Sequence, residues 1–129
     1  MTPELTTLAL TVVLQCLQLA LYSVVANKQV GVRYSGGPRD VPRQLTGIAG
    51  RVQRSVNNQF ESLILFTAAV VVLHFSNSAT PYTAVWAWIY LAARVLYIPA
   101  YMFAWTYWRS AIWGVGLLAT LVMIFTALL

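Results

Sequence analysis

The stretch GRVQRSVNNQFESLILF, residues 50–66, opens a long apolar segment but carries most of its polar side chains within its first three turns. Wound as an α-helix at about 100° per residue, the stretch places four polar residues within an arc of roughly 80°. These residues are Arg51, Arg54, Asn58 and Glu61. One face of an otherwise apolar helix is therefore polar and needs a partner.

The composition of the whole chain indicates an integral membrane protein. Of its 129 residues, 60% are hydrophobic and only 9% are charged, and the mean hydropathy is +0.71, which is unlike a soluble domain. An arginine or glutamate that faces hydrocarbon costs at least about 2.5 to 3.5 kcal/mol on insertion scales, so such groups normally face a partner helix or a wet cavity. The polar face is therefore a candidate site.

Four apolar segments are long enough to cross a hydrocarbon layer of about 30 Å. The first follows Thr2-Pro3-Glu4, a capped helix start. A cleaved signal peptide is the alternative for this segment, but no basic region precedes it and no small-residue cleavage pattern follows it. The mostly short connections predict an all-α, up-and-down four-helix bundle that forms a single domain over residues 1–129. The predicted spans are residues 5–26, 50–75, 81–104 and 111–129.

The basic residues predict the orientation of the bundle. Six of the eight lie in or beside the first connection, residues 27–49, and Arg109 lies in the third connection, residues 106–110. The second connection and both terminal segments carry none. By the positive-inside rule, the first and third connections are cytoplasmic and both termini lie on the outer side. This topology accounts for the net charge of +5 without a nucleic-acid partner.

The cysteine and histidine content argues against metal chemistry. Cys16 is the only cysteine and His74 the only histidine, so the sequence predicts neither a disulfide framework nor a metal site. His74 lies near the outer end of the second span, where we expect an interfacial side chain.

The third span continues the polar pattern of the second. Arg94, Tyr97 and Tyr101 stand at i, i+3 and i+7 and share one helix face. Glu61 and Arg94 both lie roughly 15 Å from the cytoplasmic ends of their spans, at about 1.5 Å per residue. We therefore expect the two side chains to meet as a buried ion pair. Loss of Glu61 would then leave Arg94 unpaired, at a cost of about 3 to 5 kcal/mol.

The candidate site carries more positive than negative charge. Arg51, Arg54 and Arg94 outnumber Glu61, and Arg109 lies at the same membrane face. Guanidinium groups rimmed by tyrosine hydroxyls and asparagine amides suit an anionic polar ligand at the cytoplasmic leaflet. The alternative is that arginines near the end of a span extend to lipid phosphates. This alternative has most weight for Arg51.

These motifs resemble the membrane-associated proteins in eicosanoid and glutathione metabolism (MAPEG), and the resemblance covers nearly the whole chain. Two patterns together carry it: R-x-x-R-x-x-x-N-x-x-E at residues 51–61 and A-R-x-x-Y-x-x-x-Y at residues 93–101. The segments G-P-R-D-x-P-R at residues 37–43 and L-x-G-x-A-G-R at residues 45–51 are similar to the bacterial branch of the family.

The resemblance implies a homotrimer of four-helix subunits, located in a bacterial inner membrane, with glutathione bound between neighbouring subunits on the cytoplasmic side. By motif position, the residues that hold or surround glutathione would be Arg51, Arg54, Asn58, Glu61, Arg94, Tyr97 and Tyr101. The resemblance also implies a catalytic pair, in which Arg109 matches the thiol-activating arginine of the family and Ser110 follows it. A nearby cation lowers the pKa of a thiol from its reference value of about 8.5 and so makes it a better nucleophile.

The sequence leaves more than one function open. The first is a glutathione-dependent transferase or peroxidase whose thiolate attacks a lipophilic small molecule that arrives through the bilayer. The second is a non-enzymatic scaffold or ligand-binding trimer that retains the polar pocket, and a small transporter is a third. All of them require the polar side chains to face an enclosed polar space between helices.

Overall fold

Four helices make up the described part of the chain. The computed structural model describes residues 1–31, 46–104 and 106–129. The motif at residues 37–43, most of the first connection and Trp105 lie outside the described residues. Each helix is long and apolar enough to cross a membrane, which confirms the predicted all-α four-helix bundle. The helices are α1 (Pro3–Val30), α2 (Gly47–Phe75), α3 (Pro81–Met102) and α4 (Thr106–Leu128).

The helices differ from the predicted spans mainly at their ends. α1 runs to Val30 and ends at Gly31, whose φ of +89° suits glycine and whose N–H donates to the carbonyl of Asn27 at 2.9 Å. α4 begins at Thr106, so residues 106–110, predicted as a connection, are helical. The prediction was wrong here because hydropathy identifies only the apolar part of a helix that continues into the membrane interface.

Threonine side chains cap two of the helices. Thr2 accepts a hydrogen bond from the backbone N–H of Leu5 at 3.2 Å, as the capped start of the first span predicts. At the start of α3, the side chains of Thr80 and Thr83 each accept from the other residue's backbone N–H, at 3.3 and 2.8 Å. These bonds satisfy amide groups that a helix N-terminus otherwise leaves unpaired.

Consecutive helices run antiparallel. The side chain of Gln18 in α1 donates to Ser55 in α2, and the side chain of Gln29 bonds the backbone of Thr46 at the ends of the same two helices. α3 and α4 contact each other at Gly116, where an added Cβ would lie 3.6 Å from Cδ of Arg94. The last residues of α1 and α3 and the first residues of α2 and α4 therefore lie at one end of the bundle, here called the inner end. The other end, with both termini, is the outer end.

The two halves of the bundle have different interiors. The hydrophobic core fills the outer half and includes the ring of Phe66, stacked on that of Tyr90 with centroids 3.8 Å apart. The inner half instead buries Gln18, Ser55 and Gln59 together with Arg94. Buried polar side chains in a membrane bundle need hydrogen-bond partners. The candidate site lies at this polar end.

Candidate functional site

The polar residues of α2 divide between two directions. Gln59 is fully buried and points into the bundle, whereas Glu61 and Arg54 are exposed. Because Gln59 and Glu61 are two residues apart, their side chains leave the helix about 160° apart at about 100° per residue. Asn58 is half-buried, at the border between the two directions. The predicted polar face therefore borders the buried face of α2 at Asn58 and points away from the bundle interior at Arg54 and Glu61.

Arg94 bonds neutral amides. Its side chain is 1% exposed, its Nε donates to Oε1 of Gln59 at 2.5 Å, and its Nη2 donates to Oδ1 of Asn58 at 3.0 Å. The predicted buried ion pair of Glu61 with Arg94 is therefore wrong. Depth along the helices was predicted correctly, but Glu61 leaves α2 on the side opposite to Gln59, and it is Gln59 that faces Arg94.

Three arginines converge on two tyrosine rings. The guanidinium carbon of Arg94 lies 4.3 Å from the ring centroid of Tyr97, and that of Arg109 lies 4.8 Å from the centroid of Tyr101. Nε of Arg54 donates to the Tyr101 hydroxyl at 3.1 Å. The two tyrosine rings are 5.6 Å apart. Ring faces attract cations, so tyrosines from α3 hold together guanidinium groups from α2, α3 and α4.

The bond from Arg94 fixes the orientation of Asn58. A guanidinium group only donates, so the Asn58 atom that faces it must be the amide oxygen. The amide nitrogen of Asn58 is then turned away from Arg94. Its two N–H groups remain to donate to an acceptor, such as a carboxylate or a peptide carbonyl, on the other side.

An open cleft lies beside this cluster. A cavity of about 190 Å³ is lined by Asn58, Tyr97 and three residues from the start of α4: Arg109, Ser110 and Trp113. A second cavity of about 110 Å³ shares Asn58 and Trp113 with the first and extends toward the outer end. Its other lining residues are Glu61, Ser62, Leu65, Leu117 and Thr120. The cleft is thus polar beside Arg109 and more apolar deeper in the membrane.

The structure gives Arg51 a different position from the other predicted residues. Its Nε donates to the carbonyl of Met102 at 2.8 Å. Met102 is the last residue of α3, where carbonyl groups lack helical partners and the helix dipole favours a cation. Arg51 therefore caps α3, and it lines neither of the two cavities.

Six of the nine predicted residues form one cluster on the structure: Arg54, Asn58, Arg94, Tyr97, Tyr101 and Arg109. Ser110 and Glu61 lie beside it along the cleft. Sequence reasoning missed Gln59 and Trp113. A signal existed for both, because Gln59 follows Asn58 in the quoted stretch and Trp113 stands one helical turn after Arg109.

Comparison with known proteins identifies the family of the chain but names no individual relative. Neither a curated protein nor a solved structure matches the chain. A family-level comparison matches residues 5–129 to the MAPEG family. That family includes glutathione-dependent transferases and peroxidases as well as other members. With four apolar helices, each able to cross a membrane, the chain is an integral membrane protein. Because the match extends over essentially its whole length, the chain belongs to the MAPEG family.

Proposed function

We propose that this chain is a glutathione-dependent transferase or peroxidase that acts on a lipophilic electrophile at the cytoplasmic side of a bacterial inner membrane. The observation that carries the proposal is the convergence of Arg54, Arg94 and Arg109 beside a cleft that reaches from the inner end into the membrane. Membership of a family that includes such enzymes supports the reaction class.

The residues of the cleft suit the groups of glutathione. At neutral pH the tripeptide carries two carboxylates, one ammonium group, two peptide bonds and a thiol. The guanidinium group of Arg54 and the amide nitrogen of Asn58 suit a carboxylate. Glu61, which does not pair with Arg94, offers its carboxylate to the ammonium group. Arg94 holds Asn58 in place, and Arg51 contributes a flanking positive charge.

Arg109 is the residue we propose beside the sulfur. It is half-buried at the start of α4, lines the cleft and is held over the ring of Tyr101. Glutathione supplies the thiol, which is a nucleophile only as the thiolate. A fixed cation lowers the pKa of that thiol, and because arginine cannot accept a proton at neutral pH, the thiol proton leaves to water. The adjacent Ser110 hydroxyl is a further donor to the sulfur.

The apolar part of the cleft is the proposed entry for the second substrate. Leu65 and Leu117 line its deeper end, and Trp113 lies where it meets the polar part. A lipophilic electrophile dissolved in the membrane reaches this surface laterally and meets a thiolate fixed at the polar end. Holding two reactants together in this way lowers the entropic part of the barrier.

A second copy of the chain is proposed to close the cleft. The two cavities are open and small, at about 190 and 110 Å³, whereas pockets for drug-sized ligands occupy about 300 to 1,000 Å³. MAPEG proteins are generally trimers. We therefore propose a homotrimer in which a neighbouring subunit supplies the missing wall of each glutathione site.

A turnover assay on Arg109 variants tests the proposed function. Protein purified in detergent is given glutathione and either 1-chloro-2,4-dinitrobenzene or a lipid hydroperoxide over a range of pH. We expect turnover by the wild type, and in Arg109→Gln a rate that reaches its plateau only at higher pH. The loss below the plateau should be about tenfold for each unit by which Arg109 lowers the thiol pKa.

The charge-preserving variant and the binding readout separate the possible results. Arg109→Lys should retain more of the low-pH rate than Arg109→Gln. Identical pH profiles for the wild type and Arg109→Gln would remove Arg109 from the chemistry. If the wild type shows no turnover with either substrate but glutathione still raises its thermal stability, the chain is a ligand-binding protein that retains the pocket.

A further inference from the structure

α1 buries a row of polar side chains that the proposed reaction does not use. Glu4, Thr7, Thr11, Gln15 and Gln18 follow one another at helical spacings of three and four residues, and each is at most 3% exposed. Both threonine hydroxyls donate to carbonyl groups of α1, and the Glu4 carboxyl accepts from Thr83 at 2.7 Å. The last two members of the row, Gln15 and Gln18, are less completely bonded.

Four amide atoms in this region are buried without a protein partner in the described part of the chain. They are Nε2 and Oε1 of Gln15, Oε1 of Gln18 and Nε2 of Gln59. Buried polar groups in native proteins nearly always have a hydrogen-bond partner, supplied by protein or by ordered water. Orphaned atoms on three different side chains therefore indicate a bound molecule.

The helix register brings these side chains to one level of the bundle. The bond from Gln18 to Ser55, at 3.1 Å, aligns α1 with the antiparallel α2. Gln15 on α1 and Gln59 on α2 each lie one helical turn from this bond toward the outer end. The rises along the two helices are about 4.5 and 6 Å. Both side chains point into the bundle. Gln15 therefore faces Gln59 across the interior.

Arg94 adds a buried charge at the same level. Its two hydrogen bonds, to Gln59 and Asn58, use two of its five N–H donors, and no carboxylate of the described residues pairs with it. A buried cation without an acid partner is costly unless polar groups solvate it. The ring of Tyr97 supplies part of this solvation, and polar groups on the side of Gln59 would add to it.

The chemistry of the orphaned atoms selects the molecule that fits. Two are amide nitrogens that donate, and two are amide oxygens that accept. An inorganic anion would satisfy only the donors and a metal cation only the acceptors, whereas water does both and typically makes about three hydrogen bonds when buried. We propose that Gln15, Gln18 and Gln59 hold a cluster of internal waters that solvates Arg94 from the bundle interior.

The proposed water site is separate from the glutathione cleft. Gln15 lies twelve residues beyond Pro3, about 18 Å along α1 and near the middle of its length. It does not line either cavity of the cleft. The site depends only on the interior of a single bundle, so the proposal does not require the proposed enzymatic function. It can be tested on protein without glutathione.

Magnetic resonance of the glutamine side-chain amides tests the proposal directly. Uniformly ¹⁵N-labelled wild-type protein in lipid nanodiscs is examined for cross-relaxation between side-chain NH₂ protons and water, with signals assigned from Gln15→Leu and Gln59→Leu. We expect the Gln15 and Gln59 amides to show water cross-peaks although they lie at mid-membrane depth. In the control Thr11→Val, which removes a hydroxyl already bonded to Thr7, these cross-peaks should persist.

Two results would overturn the proposal. One is an absence of water cross-peaks at both amides in the wild type. The other is a direct amide-to-amide hydrogen bond between Gln15 and Gln59, detected as a contact between their side chains in place of water. Thermal stability gives a second readout, because Gln15→Leu should lower the unfolding midpoint if waters around Arg94 are lost. A higher midpoint would show that the site is dry and the amide unpaired.

Discussion

Arg94 is among the largest fully buried side chains in the described part of the chain. Its side chain donates hydrogen bonds to the side-chain oxygens of Gln59 and Asn58. A buried guanidinium depends strongly on each acceptor because removing one leaves a buried charged donor without its partner. Gln59 is therefore assigned to stability and to the orientation of Asn58. Glu61, which is exposed, is assigned to ligand binding.

Substitutions at Gln59 and Glu61 separate these two assignments. Gln59→Leu should destabilise the bundle by about 1.5 to 3 kcal/mol, the usual range for a lost hydrogen bond to a charged group. Glu61→Gln, a matched change on the same helix, should alter stability by less than about 0.5 kcal/mol, as for most exposed positions. Reversible denaturation in mixed micelles measures both. A large loss in Glu61→Gln with none in Gln59→Leu would restore the original ion-pair prediction.

At the scale of the element, α1 is more than an apolar span. Its outward face carries Leu10, Val13 and Leu17, which are exposed on the single chain, while its inward face is polar from Glu4 to Gln18. Glu4 joins the start of α1 to the start of α3 through the Thr83 hydroxyl. The outer end is therefore held by a polar bond in addition to the hydrophobic core.

Thr83 is the residue that tests this connection. Thr83→Val removes the hydroxyl that bonds Glu4 and that accepts from the backbone N–H of Thr80, so we expect a loss of about 1 to 2 kcal/mol, comparable with the loss of a helix cap. Thr83→Ser keeps the hydroxyl and should remain close to the wild type. Equal unfolding midpoints for the valine and serine variants would contradict this role.

The sequence predicted the helices better than it predicted which way individual side chains point. Four spans and their order follow from apolar runs of membrane-crossing length, because the bilayer requires such runs. The clustering of Arg54, Asn58, Tyr97 and Tyr101 follows from helical periodicity. Periodicity does not state which edge of a polar face turns inward, so Gln59 was overlooked as the partner of Arg94. The polar residues of α1 are spaced at helical intervals in the sequence, but the average hydropathy of the whole span does not reveal this spacing.

Two glycines near the middle of α4 differ in their surroundings. Gly116 is buried, and an added Cβ there would contact Arg94 and Ala93 at ordinary van der Waals distances. Gly114 faces open space in the described part of the chain. The two glycines are two residues apart, so they lie on different sides of the helix, and only one can approach α3.

At the scale of the whole molecule, the orientation in the membrane remains a prediction from the basic residues. Cys16 is the only cysteine, so Cys16→Ser provides a background for single-cysteine labelling. Ala79→Cys, at the exposed outer turn, should react with a membrane-impermeant maleimide on intact cells. Tyr107→Cys, at the exposed inner end, should react only after the membrane is permeabilised. The reverse labelling pattern would place both termini in the cytoplasm and the cleft opening outside.

The central claim is that the cleft beside Arg54, Asn58 and Arg109 binds glutathione. Native mass spectrometry of the protein released from detergent micelles measures assembly and ligand together. We predict a trimer that carries up to three glutathione molecules, with adducts reduced at least about tenfold in Arg54→Ala, a loss of about 1.4 kcal/mol in binding. Adducts should be retained in the control His74→Ala, at the exposed outer end of α2. A trimer without glutathione adducts at saturating ligand, or adducts equally abundant in Arg54→Ala, would contradict the account.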